Sequence, residues 1–127
     1  MPHLIVHTSG NLQGLDESWL LLQANRALMA SGLFMDSDIK SRVVRCDSFR
    51  VGVDSHEDET HAFVAARLAV LSGREFSLRE HLGLLLQKTL ERCLAGFDHL
   101  QVQITVEVVE IESELYFKSV IGKQPQA

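Results

Sequence analysis

A chain of 127 residues with 46% hydrophobic side chains has material for about one domain with a core of its own. Its 12 Lys plus Arg against 17 Asp plus Glu give a net charge of -5, so no overall positive field draws it to a phosphate backbone or an anionic membrane surface, and neither nucleic acid nor membrane is expected as a partner. No window carries the ~18 uninterrupted apolar residues of a bilayer span, the first residues lack the basic start and apolar run of a secretory leader, and Cys46 and Cys93 form no CxxC pair, so a soluble cytoplasmic protein with reduced thiols is expected.

Pro2 to Thr8 alternates, with Pro2, Leu4 and Val6 on one side and His3, Ile5 and His7 on the other, which predicts a strand. Proline is tolerated as a strand's first residue because no ladder donor is needed there. From Asp16 to Ser31 a helix is predicted, with Leu20, Leu21, Ala24, Ala27 and Leu28 on its apolar side, Asp16 as N-cap and Gly32 as the stop. Ser41 to Val51 sets Val43, Val44, Phe49 and Val51 among polar residues, as a second strand with one exposed or functional face would.

After the acidic loop Gly52 to Thr60 the order repeats. His61 to Leu71 is apolar on both faces apart from Arg67, the pattern of an inner strand. Ser77 and Glu80 have the spacing of a capping box, in which each side chain bonds the other residue's free backbone donor, and this predicts a helix from Leu78. Leu78, Leu82, Leu85, Leu86, Thr89 and Cys93 form its apolar stripe, and Gly96 ends it. Leu100 to Glu110 alternates Val102, Ile104, Val106 and Val108 against Gln101, Gln103, Thr105 and Glu107, a half-buried strand.

The expected fold is α/β: two βαβ units, in halves of about 2–51 and 61–110, form a four-stranded sheet with two helices on one face. One domain over 1–127 is expected, with a C-terminal tail at 112–127 that holds the mostly apolar stretch Leu115 to Ile121. Parallel strands joined by right-handed helical crossovers are the economical topology. Two helices cover only one face of such a sheet, and Ala62, Val64, Ala66, Leu68 and Val70 cannot all lie in water, so self-association in a symmetric ring is implied.

A metal site is not expected. His56-Glu57-Asp58-Glu59-Thr60-His61 sets its histidines five apart in an acidic loop, whereas the zinc-protease HExxH motif sets them four apart on one helix face. His3 and His7 share a strand face, but four residues at about 3.3 Å each separate them by roughly 13 Å, too far for one ion. Structural roles, or roles supporting a site without touching its ligand, follow for both, and Trp19 is expected in the core or an interface.

The opening MPHLIVHTSGNL, IKSRV at Ile39 to Val43, HAFV at His61 to Val64, Ser72-Gly73-Arg74 ahead of a helix, and LYFK at Leu115 to Lys118 occur in order along nearly the whole chain. In that order they resemble the 5-carboxymethyl-2-hydroxymuconate isomerases of the tautomerase superfamily. The resemblance implies a homotrimer of tautomerase-like subunits, no cofactor, a small-molecule unsaturated keto or hydroxy carboxylate as substrate, and catalysis by an amino-terminal proline in the breakdown of homoprotocatechuate-type aromatics. The family carries an acidic residue where this chain has His7 and an arginine where it has Lys40. A lysine supplies charge without the planar two-pronged grip of arginine on a carboxylate, so affinity or substrate identity should differ.

Each residue's chemistry fits that expectation. Inside a peptide bond the Pro2 nitrogen has no usable lone pair, so it becomes a base only when Met1 leaves. A free α-amine titrates near 7.7 to 8.0, and a secondary amine is more basic, so an apolar surround and nearby cations are needed to keep it neutral at pH 7. Arg74, in a glycine-containing turn, has the donors to grip a carboxylate, and Arg42 and Lys40 alternate on one side of the second strand's start to bind another. Arg45 points the other way, toward the surface. The expected reaction is ketonisation of a 2-hydroxymuconate-type dienol with Pro2 as base and Arg74, Arg42 and Lys40 on the carboxylates. The alternatives are a tautomerase of another α-keto acid and a non-catalytic trimeric binding module of the same fold.

Overall fold

In the computed structural model, which describes residues 1–53 and 60–123, β1 (His3–Ser9), α1 (Glu17–Ala30), β2 (Lys40–Cys46), β3 (His61–Leu71), α2 (Phe76–Leu94) and β4 (Gln101–Ile111) follow in chain order. The four strands make one sheet in the order β2-β1-β3-β4. Within each half the helix returns the chain in its original direction, so β1 and β2 pair in parallel, as do β3 and β4. The two halves meet antiparallel along β1 and β3, with His3 opposite Ala69. The starts of β1 and β2 and the ends of β3 and β4 therefore share one end of the sheet.

One face of the sheet is covered by both helices. Leu4 and Val6 of β1 and the set Ala62, Val64, Ala66, Leu68 and Val70 of β3 are buried there, together with Leu20, Ala24 and Leu28 of α1 and Leu82, Leu86 and Leu90 of α2. This corrects the expectation that the β3 set needs a partner molecule: these side chains are the floor of the chain's own core. The other face carries the alternate residues, among them His3, Ile5, His7, Lys40, Arg42, Ala65 and Arg67, all exposed or half-buried. There Ile5, His7, Ala65, Arg67, Thr105 and Glu107 line a hollow of about 580 Å³. An Arg67–Glu107 ion pair at 2.8 Å bridges its outer side.

The first helix begins and ends where expected. Asp16 accepts a hydrogen bond from the Trp19 N–H at 2.9 Å, and Gly32, at φ 76°, takes the left-handed conformation that stops the helix without a Cβ penalty. Trp19 is 45% exposed, so it is no part of this chain's core.

The second helix starts differently. It runs from Phe76 with Glu75 at the N-cap position and no side-chain cap, so the Ser77–Glu80 box does not form; Ser77 already lies inside the first turn. Its buried side turns toward Leu90 and Leu94, leaving Leu78 37% exposed and Cys93 half-buried.

β2 ends at Cys46 rather than Val51 because its ladder partner runs out: Ser9 pairs with Cys46, and β1 stops there. The chain turns at Asp47 and Ser48, and Phe49 comes edge-on to Phe63 at 6.0 Å between ring centroids. His56 to Glu59 of the histidine-bearing acidic loop lie outside the described residues, whereas His61 is the first residue of β3.

Candidate active site

The shared end of the sheet gathers the chemistry. Pro2 is fully buried at the start of β1, and its carbonyl accepts the Lys40 N–H at 3.2 Å, which extends the β1–β2 ladder by one bond. In this chain the Pro2 nitrogen is an amide nitrogen, and the terminal amine belongs to Met1. Burial foremost, then the charge of Lys40, hold that amine below its ordinary value; Asp38 opposes them, and Lys118 adds a further downward push.

The elements around the amine explain why these groups meet. A 3-10 turn at Asp36–Asp38 delivers the chain into β2, and the Lys40 ammonium folds back to donate to the Asp38 carbonyl at 2.8 Å. Lys118 arrives from the far end of the chain and donates to the Asp38 carboxylate at 2.7 Å. That pairing lowers the Asp38 carboxyl and raises the Lys118 ammonium, each by stabilising the other's charged form.

The segment bearing Lys118 is fixed by paired serines at the end of β3. Ser72 N–H donates to the Ile111 carbonyl at 2.8 Å, Ser113 N–H donates to the Ser72 hydroxyl at 3.0 Å, and the Ser113 hydroxyl donates to the Ser72 carbonyl at 3.0 Å. From this anchor the chain runs back over β1, where the Tyr116 hydroxyl lies 3.0 Å from His3 Nε2. Partial burial, then the positive charges of Lys40, the amine and Arg42, hold the His3 ring below its ordinary value. One hydrogen bond therefore joins the imidazole Nε2 to the phenol oxygen.

The four residues singled out from the sequence fall into two groups. Pro2 and Lys40 are joined directly through the backbone bond, and Arg42 lies opposite Ile5 on the uncovered face, close enough to act on His3. Arg74 follows Gly73, whose φ of 110° makes the turn that sends the chain out of β3. Its guanidinium lies 5.0 Å from the Phe34 ring centroid and donates to the Leu33 carbonyl at 3.5 Å, so it braces the loop leading to β2 at the same end of the sheet without touching Lys40 or Pro2. Arg45 bonds the Gly10 carbonyl at 2.6 Å near the opposite end.

Asp38, Tyr116 and Lys118 were not singled out as site residues. Two of them stand in the LYFK run and the third is two residues ahead of Lys40, but only the folded chain brings Asp38 and Lys118 to the amine and Tyr116 to His3. Among the described residues, no group of three or more His, Cys, Asp or Glu side chains gathers as metal ligands would, and no helix is long and apolar enough to cross a membrane.

Comparison with known proteins agrees with this architecture. The chain is 28% identical over 120 residues to the 5-carboxymethyl-2-hydroxymuconate Delta-isomerase of Escherichia coli, covering 93% of each chain. It matches a 5-carboxymethyl-2-hydroxymuconate isomerase of Deinococcus radiodurans at a TM-score of 0.84 and 25% identity, covering 93% of this chain and 88% of that one. A fused 4-OT symmetric trimer shares the fold at a TM-score of 0.60 and 18% identity, with 85% of each chain covered. The family model for 5-carboxymethyl-2-hydroxymuconate isomerase matches residues 2–121, and the chain therefore belongs to this family of isomerases, within the tautomerase fold.

Proposed function

We propose that this chain, once Met1 is removed, ketonises a 2-hydroxymuconate-type dienol, 5-carboxymethyl-2-hydroxymuconate or a close relative, with Pro2 as general base. The observation that carries this reading is the setting of the terminal amine: partly buried, beside Lys40 and Lys118, and held below its ordinary value. Removing one residue makes the Pro2 nitrogen the terminus, shifted by no more than one residue's reach of about 3.8 Å, so the same burial and the same lysines act on it. A secondary amine needs that help to be neutral at pH 7.

Neutral Pro2 takes the hydroxyl proton of the dienol while the O–H bonding pair becomes part of the new C=O. The conjugated system passes an electron pair to a distant carbon, and the protonated amine returns the proton there. Nothing is oxidised or reduced, and the base is regenerated. Lys40, Arg42 and Arg74 hold the substrate's carboxylates, Arg74 through paired N–H donors and Lys40 as a point charge.

The working unit in this reading is a homotrimer in the cytoplasm, acting without a cofactor. Its support is the sheet face opposite the helices, the outer edges of β2 and β4, which no strand among the described residues pairs, and the trimeric state of one solved relative. A tautomerase of another α-keto acid is the second reading. It is favoured by Lys40, whose ammonium is already held by the Asp38 carbonyl and offers a substrate only single-point contact.

The test supplies protein whose intact mass proves loss of Met1 with freshly generated 5-carboxymethyl-2-hydroxymuconate and follows the ultraviolet absorbance of the dienol. Ketonisation well above the buffer rate is the expected result. Turnover of a different 2-hydroxydienoate alone would reassign the substrate, and turnover of none would make the chain a binding module.

A further inference from the structure

We infer that Asp38 is a positioning residue for the proton acceptor: it gathers Lys40 and Lys118 from two distant parts of the chain and balances their charge beside the terminal amine. The inference rests on the reading of Pro2 as base and deepens it by naming what adjusts that base.

The geometry is specific. The Asp38 main-chain carbonyl accepts from Lys40 at 2.8 Å, and its carboxylate accepts from Lys118 at 2.7 Å. One residue therefore holds both cations, each by a different group. The 3-10 turn keeps the carbonyl and carboxylate beside the first residue of β2, whose own N–H is tied to Pro2. The Asp38–Lys118 pair lies at the surface, with side chains 30% and 42% exposed, so salt weakens its effect and the amine is best titrated at low ionic strength.

Around the amine, β2 and the turn before it contribute Lys40 and Asp38, the C-terminal segment contributes Lys118, and β1 contributes His3, whose ring is engaged by Tyr116. Arg42 acts on His3. Two cations alone would repel a protonated amine and weaken it as a base; one anion among them restores part of its basicity.

The two partners of this pair act on the amine with opposite sign, which separates electrostatic positioning from simple bracing. In Met1-free protein, Asp38→Asn removes the anion and should move the amine's titration midpoint down. Lys118→Met removes a cation and should move it up. Each shift is expected to be on the order of half a pH unit, and Asp38→Glu should return the midpoint most of the way.

The midpoint is read directly from the pH dependence of iodoacetamide alkylation of Pro2, measured by the mass of the N-terminal peptide, and compared with the low-pH limb of the ketonisation rate. Both charge-removing variants break the same ion pair. Shifts of one sign in both, or no shift in either, would overturn the inference. If the alkylation midpoint moved as expected while the ketonisation limb ignored it, the role of Pro2 as base would fail instead.

Discussion

His3 and Tyr116, separated by 113 positions in the chain, meet with Nε2 and the phenolic oxygen 3.0 Å apart and their rings edge to face at 6.0 Å between centroids. This contact fastens the segment that carries Lys118 across the first strand. Tyr116→Phe keeps the ring pair and loses the hydrogen bond, which should destabilise the chain by about 1 kcal/mol. Tyr116→Ala loses both and should cost about 1 kcal/mol more. Urea denaturation of the two variants checks the order; equal costs would mean that the hydroxyl, not the ring, carries the contact.

The same pair makes stability depend on pH in a defined direction. Partial burial and neighbouring positive charge hold the folded His3 ring below its ordinary value of 6.5. As pH falls through that value, the unfolded chain binds the proton more readily than the folded one, so stability declines with decreasing pH. Thermal unfolding followed from pH 7.5 to 5 should show a smaller decline in His3→Gln than in the parent protein. A steeper decline in the variant would contradict the lowered ring.

Arg74 and Arg45 offer a matched comparison. Arg74 sits over Phe34 at the end of the sheet that holds the amine, whereas Arg45 bonds Gly10 toward the other end. Arg74→Ala should lower kcat/KM on the dienol at least about tenfold, equivalent to about 1.4 kcal/mol of transition-state stabilisation, and Arg45→Ala should change it little. Similar losses in both would remove Arg74 from the substrate site.

The uncovered sheet face predicts association. Sedimentation equilibrium at micromolar concentration should return three times the mass of the 14.2 kDa chain. A single-chain mass would leave His7, Arg67 and their neighbours as an ordinary solvated surface.

Strand positions were legible wherever alternation was unbroken. β3 spans His61–Leu71 as expected and β4 starts and ends within one residue of expectation, because period-two burial is written locally into the side chains. The end of β2 was not legible, since it depends on where β1 stops pairing and not on Phe49 or Val51 themselves. The antiparallel junction of the halves and the choice of buried face also depend on tertiary arrangement. Alternation in β3 separates Ala62, Val64 and Ala66 from Phe63 and Ala65, but it does not say which set meets the helices.

The candidate site divides in the same way. The Lys40–Arg42 alternation follows from spacing, and the register sets these residues opposite His3 and Ile5. Asp38 resembled any polar residue ahead of a strand, and Tyr116 and Lys118 any polar residues of a tail. Their roles arise from bonds across 80 and 113 positions, which no local pattern encodes.

The most direct test of the central claim compares two preparations of the same chain, each homogeneous by intact mass, one retaining Met1 and one starting at Pro2. Retention only converts the Pro2 amine into an amide, so both should fold and assemble alike, and only the processed protein should ketonise the dienol, with a rate that falls at low pH as the amine becomes protonated. Equal rates from the two preparations would contradict Pro2 as the base.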